Sequence, residues 1–274
     1  MLAIKNNLMS ENTQRMVAVN YDNLAKSVQR LSSGLRINSA ADDAAGLAVR
    51  ELIRSDIAVL RQGARNAQDA ISMVQTAESA LQVVDNLLVR MKELAEQAAT
   101  ESYSPTQRSM MNAEFKEMAN EMDRIASSTN FNGTTLLNSA SGTLTIHVGT
   151  GNTANDKITV KLVDSSVTGL AIDTLHISSV ASAAAALTAL DSAISAKDSA
   201  RAAFGSKINR MESTISILNV QAETLAAAES RISDVDVAKE MSALTRNQVM
   251  SQAGIAMLAQ ANSMPQLALR LLQG

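Results

Sequence analysis

Cysteine and tryptophan are absent from this 274-residue chain, aromatic residues make up 2% of it, and there are only two prolines, Pro105 and Pro265. Zero cysteine removes disulfides, thiolate catalysis and Cys-ligated metals, yet it does not fix a compartment, since reducing interiors and disulfide-free surface assemblies both fit. Without large aromatic anchors, which bury the most area per residue, the core must be filled by Ala, Leu, Ile, Val and 14 Met. Such small or straight side chains suit close-packed helices, and the scarcity of proline lets those helices run long. The two histidines, His147 and His176, lack metal-ligand spacing, and neither an H-E-x-x-H motif nor a phosphate-binding glycine loop is present. No catalytic residue, metal or cofactor is therefore expected. A formal charge of -3, a pI near 5.5 and the mixing of Lys and Arg with Asp and Glu give no electropositive footprint for nucleic acid. No window approaches the ~18 uninterrupted apolar residues of a membrane span. The opening Met1–Asn7 lacks the basic-then-apolar order of a secretory signal. The expectation is a protein that stays in the cytoplasm or leaves by a route without a cleaved signal.

What the chain does have is a pair of apolar stripes at helical spacing near its two ends. Val17, Tyr21, Leu24, Val28, Leu31 and Leu35 alternate in steps of four and three. Phe204, Ile208, Met211, Ile215, Leu218, Ala222 and Leu225 follow the same rule and continue to Ile232. A seam this narrow cannot be buried by one helix alone, so each stripe needs a partner helix, from the other end of the chain or from another copy.

Between the ends, the spacing predicts a first helix from about Ile4 to Leu31, closed by Gly34 as a left-handed cap. Asn38 or Ser39 can cap the next helix, with Asp42 and Asp43 complementing its dipole. Gly46 costs helix propensity there, which close approach by another helix would offset. Ile53, Ile57, Leu60, Ala64, Ala67, Ile71 and Val74 form the next stripe, resumed as Ala77, Leu81, Val84, Leu88, Met91, Ala95 and Ala98. Two steps of three at Ile71–Val74–Ala77 predict a phase slip in a helix of roughly 70 Å. Ser104 and Pro105 suit the cap and first position of a further helix to about Ile125, carrying Met111, Phe115, Met118 and Met122. Alternation of Leu144, Ile146 and Val148, and of Ile158, Val160 and Leu162, predicts a β-hairpin. Residues 163–180 read as loop or short strand, and helix resumes from Ser182 to about Leu272 with few breaks. The fold class is mainly α: long antiparallel helices in a coiled-coil rod, with one β-hairpin region in the middle of the chain.

Several segments are more specific than a coiled coil requires. Leu31-Ser32-Ser33-Gly34-Leu35-Arg36-Ile37-Asn38, followed by Asp42-Asp43-Ala44-Ala45-Gly46-Leu47-Ala48, resembles the N-terminal signature of bacterial flagellins. Arg124-Ile125, Thr129-Asn130-Phe131-Asn132-Gly133 and Leu136-Leu137 resemble that family's segment ahead of its hairpin. Ala228–Asp236 and the closing Pro265-Gln266, Leu269 and Leu271-Leu272 are similar to its C-terminal region. The resemblance implies a D0 domain of paired terminal helices, 1–40 and 236–274, and a D1 domain made of 41–180, two helices plus the hairpin region, with the helix 181–235. Little room is left for outer domains, so the chain resembles a minimal flagellin. The implied function is that of a subunit exported unfolded through the flagellar type III channel and polymerised into a hollow helical propeller outside the cell.

The resemblance also implies partners and sites. Leu24, Leu31, Leu35, Met241, Leu244, Ile255 and Leu258 would be subunit contacts in a helical homopolymer, although the same residues also read as a stable intramolecular bundle. Cap proteins, hook–filament junction proteins and an export chaperone on the C-terminal helix would be further partners. The stretch Leu88–Ala95 resembles the part of flagellin read by vertebrate Toll-like receptor 5, with Arg90, Leu94 and Glu114 as the implied contacts. On this reading Arg90 offers a cation and Leu94 an apolar knob on one helix face. Without it, Arg90 and Glu93 are solvated helix charges and Leu94 is packing. Two further readings of the whole chain stay open: a hook–filament junction protein sharing these terminal segments, and a cytoplasmic coiled-coil signalling protein, which would need heptads through the middle.

Overall fold

The computed structural model describes residues 6–138 and 142–273, with side chains to residue 264. The start of the first helix near Ile4 and the Pro265–Leu272 motif therefore lie outside the described side chains. The architecture is mainly α, as expected: α1 (Leu8–Ser33), α2 (Ala44–Ala99), α3 (Pro105–Ser128), α4 (Val180–Ser233) and α5 (Val237–Gln273) carry most of the chain. Two small antiparallel hairpins, β1 (Asn130–Phe131) with β2 (Thr134–Thr135) and β3 (Thr143–His147) with β4 (Lys157–Lys161), lie between α3 and α4. The expected alternation fixes the register of the larger hairpin, with Leu144 opposite Val160 and Ile146 opposite Ile158. The described fold divides into two compact units, one of Met1–Ser55 with Thr224–Gly274 and one of Asp56–Glu223.

The middle unit has the larger core. Val84, Leu88, Met91, Ala95 and Ala98 of α2, Phe115, Met122 and Ile125 of α3, and Ala183, Ala186 and Leu190 of α4 pack together. The predicted α2 stripe is buried almost throughout, but its phase slip comes seven residues, about two turns, early. Ala70 is buried where Ile71 is only half-buried, so the double step of three falls at Ala64–Ala67–Ala70. The small Ala70 takes the inner position and the larger, β-branched Ile71 moves to the margin. Residues 163–179 are loop and turn, as read, yet Val167, Leu170, Ile172 and Ile177 are buried. Two side chains of α3 hold this loop: Asp123 accepts from the Val167 amide at 2.7 Å and Asn112 from the Ile177 amide at 2.8 Å.

Helix ends follow local chemistry. Gly34 takes φ 73° and its amide donates to Arg30, closing α1. Ser104 and Gln107 form a reciprocal capping box with Pro105 in the first turn of α3. At α2 the cap differs from expectation. Asp43 accepts from the Gly46 amide at 2.8 Å, while Asp42 gathers the Asn38 and Ser39 amides and the Ser39 hydroxyl. Those donors, the Ser39 amide foremost, hold the Asp42 carboxyl below the usual carboxylate range. Asn38 and Ser39 thus shape the preceding turn and do not cap. The atoms nearest Gly46 come from the preceding turn and not from another helix: a Cβ there would meet the Asp43 carboxylate at 2.5 Å and Ile37 Cδ1 at 2.8 Å. In α2 the glycine that another element approaches is Gly63, where a Cβ would lie 2.4 Å from the Val148 carbonyl. Asn66 donates to the His147 carbonyl one turn on, so the hairpin end docks against α2 at a site with no side chain in the way.

Candidate assembly surface

Within the unit formed by the chain ends, α1 runs antiparallel to α5. Asn7 donates to the Ala261 carbonyl at 2.7 Å, Ser10 to Asn262 at 2.7 Å, and Arg30 stands 3.9 Å from Glu240 at the opposite end. The partner of the N-terminal stripe is therefore α5 and not the stripe of residues 204–222. That stripe belongs to the other unit, where Phe204, Met211, Leu218 and Ala222 are buried.

The seam itself is rotated from the predicted one. Its least exposed positions on α1 are Ser10, Thr13, Val17, Asn20, Leu24, Ser27 and Leu31, matched on α5 by Glu240, Leu244, Asn247, Ser251, Gly254, Leu258 and Ala261. Both sets keep the alternating steps of three and four. Asn20 and Ser27 replace Tyr21 and Val28, which are 48% and 49% exposed. At Gly254 a Cβ would lie 2.6 Å from Val17 Cγ2, so the missing side chain there makes room for Val17 in the seam. Among the described residues of this unit, Ile37 is the one large apolar side chain that is buried.

Further large apolar groups stand outside the seam. Leu8, Met9, Met16, Val19, Tyr21 and Val28 on α1, and Val237, Met241, Val249, Met250, Ile255 and Met257 on α5, are exposed. Of the seven residues expected as subunit contacts, Leu24, Leu31, Leu244 and Leu258 lie half-buried in the seam within the chain, and Met241 and Ile255 lie on the outer faces. Leu35 is half-buried where the α1–α2 connection crosses the α4–α5 break, in a β-bridge to Asp234. That crossing is tied by the Arg36 amide to the Ser233 carbonyl, the Val235 amide to the Gly34 carbonyl, and the Arg36 guanidinium to the Ile232 carbonyl. This is the one break among the described residues in the helix expected from Ser182 to about Leu272 with few breaks.

In the middle unit, α2 and α3 bring Arg90 and Glu114 together at 3.1 Å, and Glu93 joins them at 3.0 Å from Arg90. Arg90 and Glu114 side chains are 51% and 46% exposed. The hydrogen bonds of Glu93, then of Glu114, raise the Arg90 pKa and keep its charge fixed. Leu94 does not share that surface. It is 2% exposed and packs in the core cluster, because its position follows Leu88 and Met91 on the inner face of α2. The exposed apolar neighbour of Arg90 is Val89.

Lys197 is a buried charge that apolar spacing does not mark. Its side chain is 2% exposed, pairs with Asp85 of α2, and stands 2.8 Å from Asp198. It occupies the inner stripe of α4 in the series Ala186, Leu190, Ala193, Lys197, Ala200, Phe204. The available signal was a lysine at a seam position in an alanine-rich helix. Among the described residues, no group of three or more His, Asp or Glu side chains could hold a metal, and no helix is long and apolar enough to cross a membrane.

Comparison with known proteins identifies this arrangement. Residues 4–142 match the bacterial flagellin N-terminal helical region and residues 187–272 the bacterial flagellin C-terminal helical region. A flagellin of Halalkalibacterium halodurans is 41% identical over 272 residues, covering 99% of this chain and 100% of the relative. A flagellar filament 33 kDa core protein of Treponema phagedenis is 38% identical over 286 residues, with 99% and 100% covered. The crystal structure of Bacillus cereus flagellin shares 34% identity at a TM-score of 0.51, covering 60% of this chain and 94% of that one. With both helical regions matched and its relatives aligned along their whole length, the chain belongs to the bacterial flagellins, the structural subunits of the flagellar filament.

Proposed function

We propose that the chain is exported unfolded through the flagellar type III channel and polymerises outside the cell into a hollow helical filament, in which the outer faces of α1 and α5 are buried between copies. One observation carries this reading: beyond the leucines half-buried in the seam, large apolar side chains of both helices stand exposed outside it. Apolar surface of this extent on paired helices is stabilised by further burial, and a surface presented identically by each copy closes only in a repeating assembly. Cap and hook–filament junction proteins meet the same helices at the filament ends. Before export, the exposed flank of α5, with Met241, Val249 and Met250, is held by an export chaperone. Negative-stain electron microscopy of purified protein after seeding or salt-induced assembly tests the proposal. Micrometre filaments with a central channel are the expected result. Persistent monomer or dimer would favour the hook–filament junction reading.

A second activity follows from the Arg90 cluster, which we propose as the surface read by vertebrate Toll-like receptor 5. Arg90 and Glu114 sit at the surface of two neighbouring helices and offer both signs of charge in one fixed geometry, the arrangement in which Arg contributes most to an interface. Leu94 acts from beneath, by holding the α2 backbone against the core. Arg90→Asp is expected to reduce receptor signalling by purified monomer about 100-fold, the loss of one central Arg contact, with circular dichroism unchanged. Undiminished signalling by that variant would remove the assignment.

A further inference from the structure

In the middle unit Met91, Met122 and Met211 are fully buried, while Met110 on α3 is 69% exposed and gives an exposed reference outside α1 and α5. On the terminal helices Met9, Met16, Met241, Met250 and Met257 are 47 to 64% exposed. Met9 and Met16 are one heptad apart, as are Met250 and Met257, and each of the four stands directly before a seam residue: Ser10, Val17, Ser251 and Leu258. The thioethers thus form two short ladders along the flanks of the α1–α5 seam. Met16 and Met257 lie within a turn of the close Val17–Gly254 contact.

We infer that these five methionines are a peroxide-sensitive modification site that controls addition of the subunit to the polymer. The inference rests on the assembly reading above, because it needs the flanks to be apolar contact surface. In the reaction, a sulfur lone pair attacks one oxygen of hydrogen peroxide. The O–O bond breaks and an S–O bond forms. The sulfur loses two electrons and becomes a sulfoxide, and the peroxide is reduced to water. Methionine reacts according to the access that oxidant has to sulfur, so the exposed ladders oxidise first and the fully buried set last. The product exchanges a flexible apolar side chain for a polar one with a strong acceptor oxygen. On the flank of a seam that neighbours must cover, that oxygen has to be buried without a donor, and burial of an unpaired polar group is unfavourable. A free subunit is the vulnerable form; a subunit already packed in the polymer shields the same sulfurs. Because both sulfoxide epimers are substrates of dedicated reductases, the change is reversible.

The test treats purified monomer with hydrogen peroxide, maps oxygen addition by peptide mass spectrometry, and measures the critical concentration for filament growth before and after. Met9, Met16, Met241, Met250 and Met257 are expected to oxidise at least about 10-fold faster than Met91, Met122 and Met211, following access to sulfur. The critical concentration is expected to rise about 10-fold or more, and treatment with the two methionine sulfoxide reductases should restore it. Equal oxidation rates in the two sets would overturn the inference, as would unchanged assembly of protein sulfoxidised at the five positions, or lost assembly that the reductases do not restore. If untreated protein forms no filament, the assembly reading fails and takes this inference with it, which separates the two failures.

Discussion

Asp85→Ala is expected to destabilise the middle unit by about 3 kcal/mol, whereas Lys197→Met is expected to leave its stability unchanged or raise it by about 1 to 4 kcal/mol. The asymmetry comes from where the charges sit. Lys197 is 2% exposed, and its ammonium is neutralised by Asp85 from α2 and by Asp198 from its own helix. Removing Asp85 leaves a buried cation with only Asp198, itself largely solvated, and the uncompensated charge costs several kcal/mol. Methionine at 197 removes the charge altogether, keeps most of the volume and continues an apolar stripe between Ala193 and Ala200. The lower end of the usual range applies to Asp85→Ala because Asp85 retains some contact with water. Urea unfolding of the two variants, followed by far-ultraviolet circular dichroism, checks both values. A destabilised Lys197→Met protein would show that the pair contributes net stability instead of register.

Register is the stronger reason for a lysine in that place. The N-terminal half of α4 is rich in alanine, so successive turns present nearly the same inner face. Such a helix can slide against α2 at small cost in packing. A charged residue at one seam position removes that freedom, since only one alignment brings it to its partner. Arg201 with Glu78 at 3.4 Å and Lys92 with Asp191 at 2.5 Å hold the same antiparallel alignment at the surface.

Most of the middle unit was legible because its periodicities are carried by large side chains. The α2 stripe, the Ser104–Pro105 start of α3 and the existence of the β3–β4 hairpin were all read from apolar spacing and local capping chemistry. What sequence could not reach were contacts set by backbone proximity. Gly63 looks like a mild helix defect until the Val148 carbonyl is found against it, and Gly46 looks like a crossing point until Asp43 turns back over it. Asn112 and Asp123 look like solvated helix residues, since the amides they receive come from a loop some fifty residues on.

The terminal helices misled for a different reason. Apolar spacing put Tyr21 and Val28 in the seam, but the face of α1 turned to α5 passes through Asn20 and Ser27, one position earlier, so polar residues hold two of its places. Leu94, paired with Arg90 through the resemblance, takes the packing role that its position also allowed: being one turn from Arg90 says nothing of which way the helix faces. That direction was set by the Leu88–Met91–Ala95 stripe of the core.

A single glutamate on the outer face of the terminal pair is expected to abolish filament growth at concentrations where the parent protein assembles, while the monomer stays folded. Val28→Glu on α1 and Val249→Glu on α5 are the informative changes, because both valines are largely exposed and outside the α1–α5 seam. In the free subunit either substitution places a carboxylate in water at little cost, within about 0.5 kcal/mol for a surface site. In the polymer the same carboxylate loses its hydration with no cation placed to receive it, at a cost of several kcal/mol. A loss of about 3 kcal/mol per added subunit corresponds to a rise of roughly 100-fold in critical concentration. Leu24→Ala and Leu258→Ala should behave in the opposite way. Both residues lie in the seam within the chain, so their truncation should loosen the terminal helices of the monomer and raise their amide exchange before any effect on growth is read. Sedimentation of polymer against concentration, with hydrogen exchange on the monomer, separates the two classes. Glutamate variants that assemble like the parent would mean that the exposed valines stay exposed, and the assembly surface would then lie elsewhere on the chain.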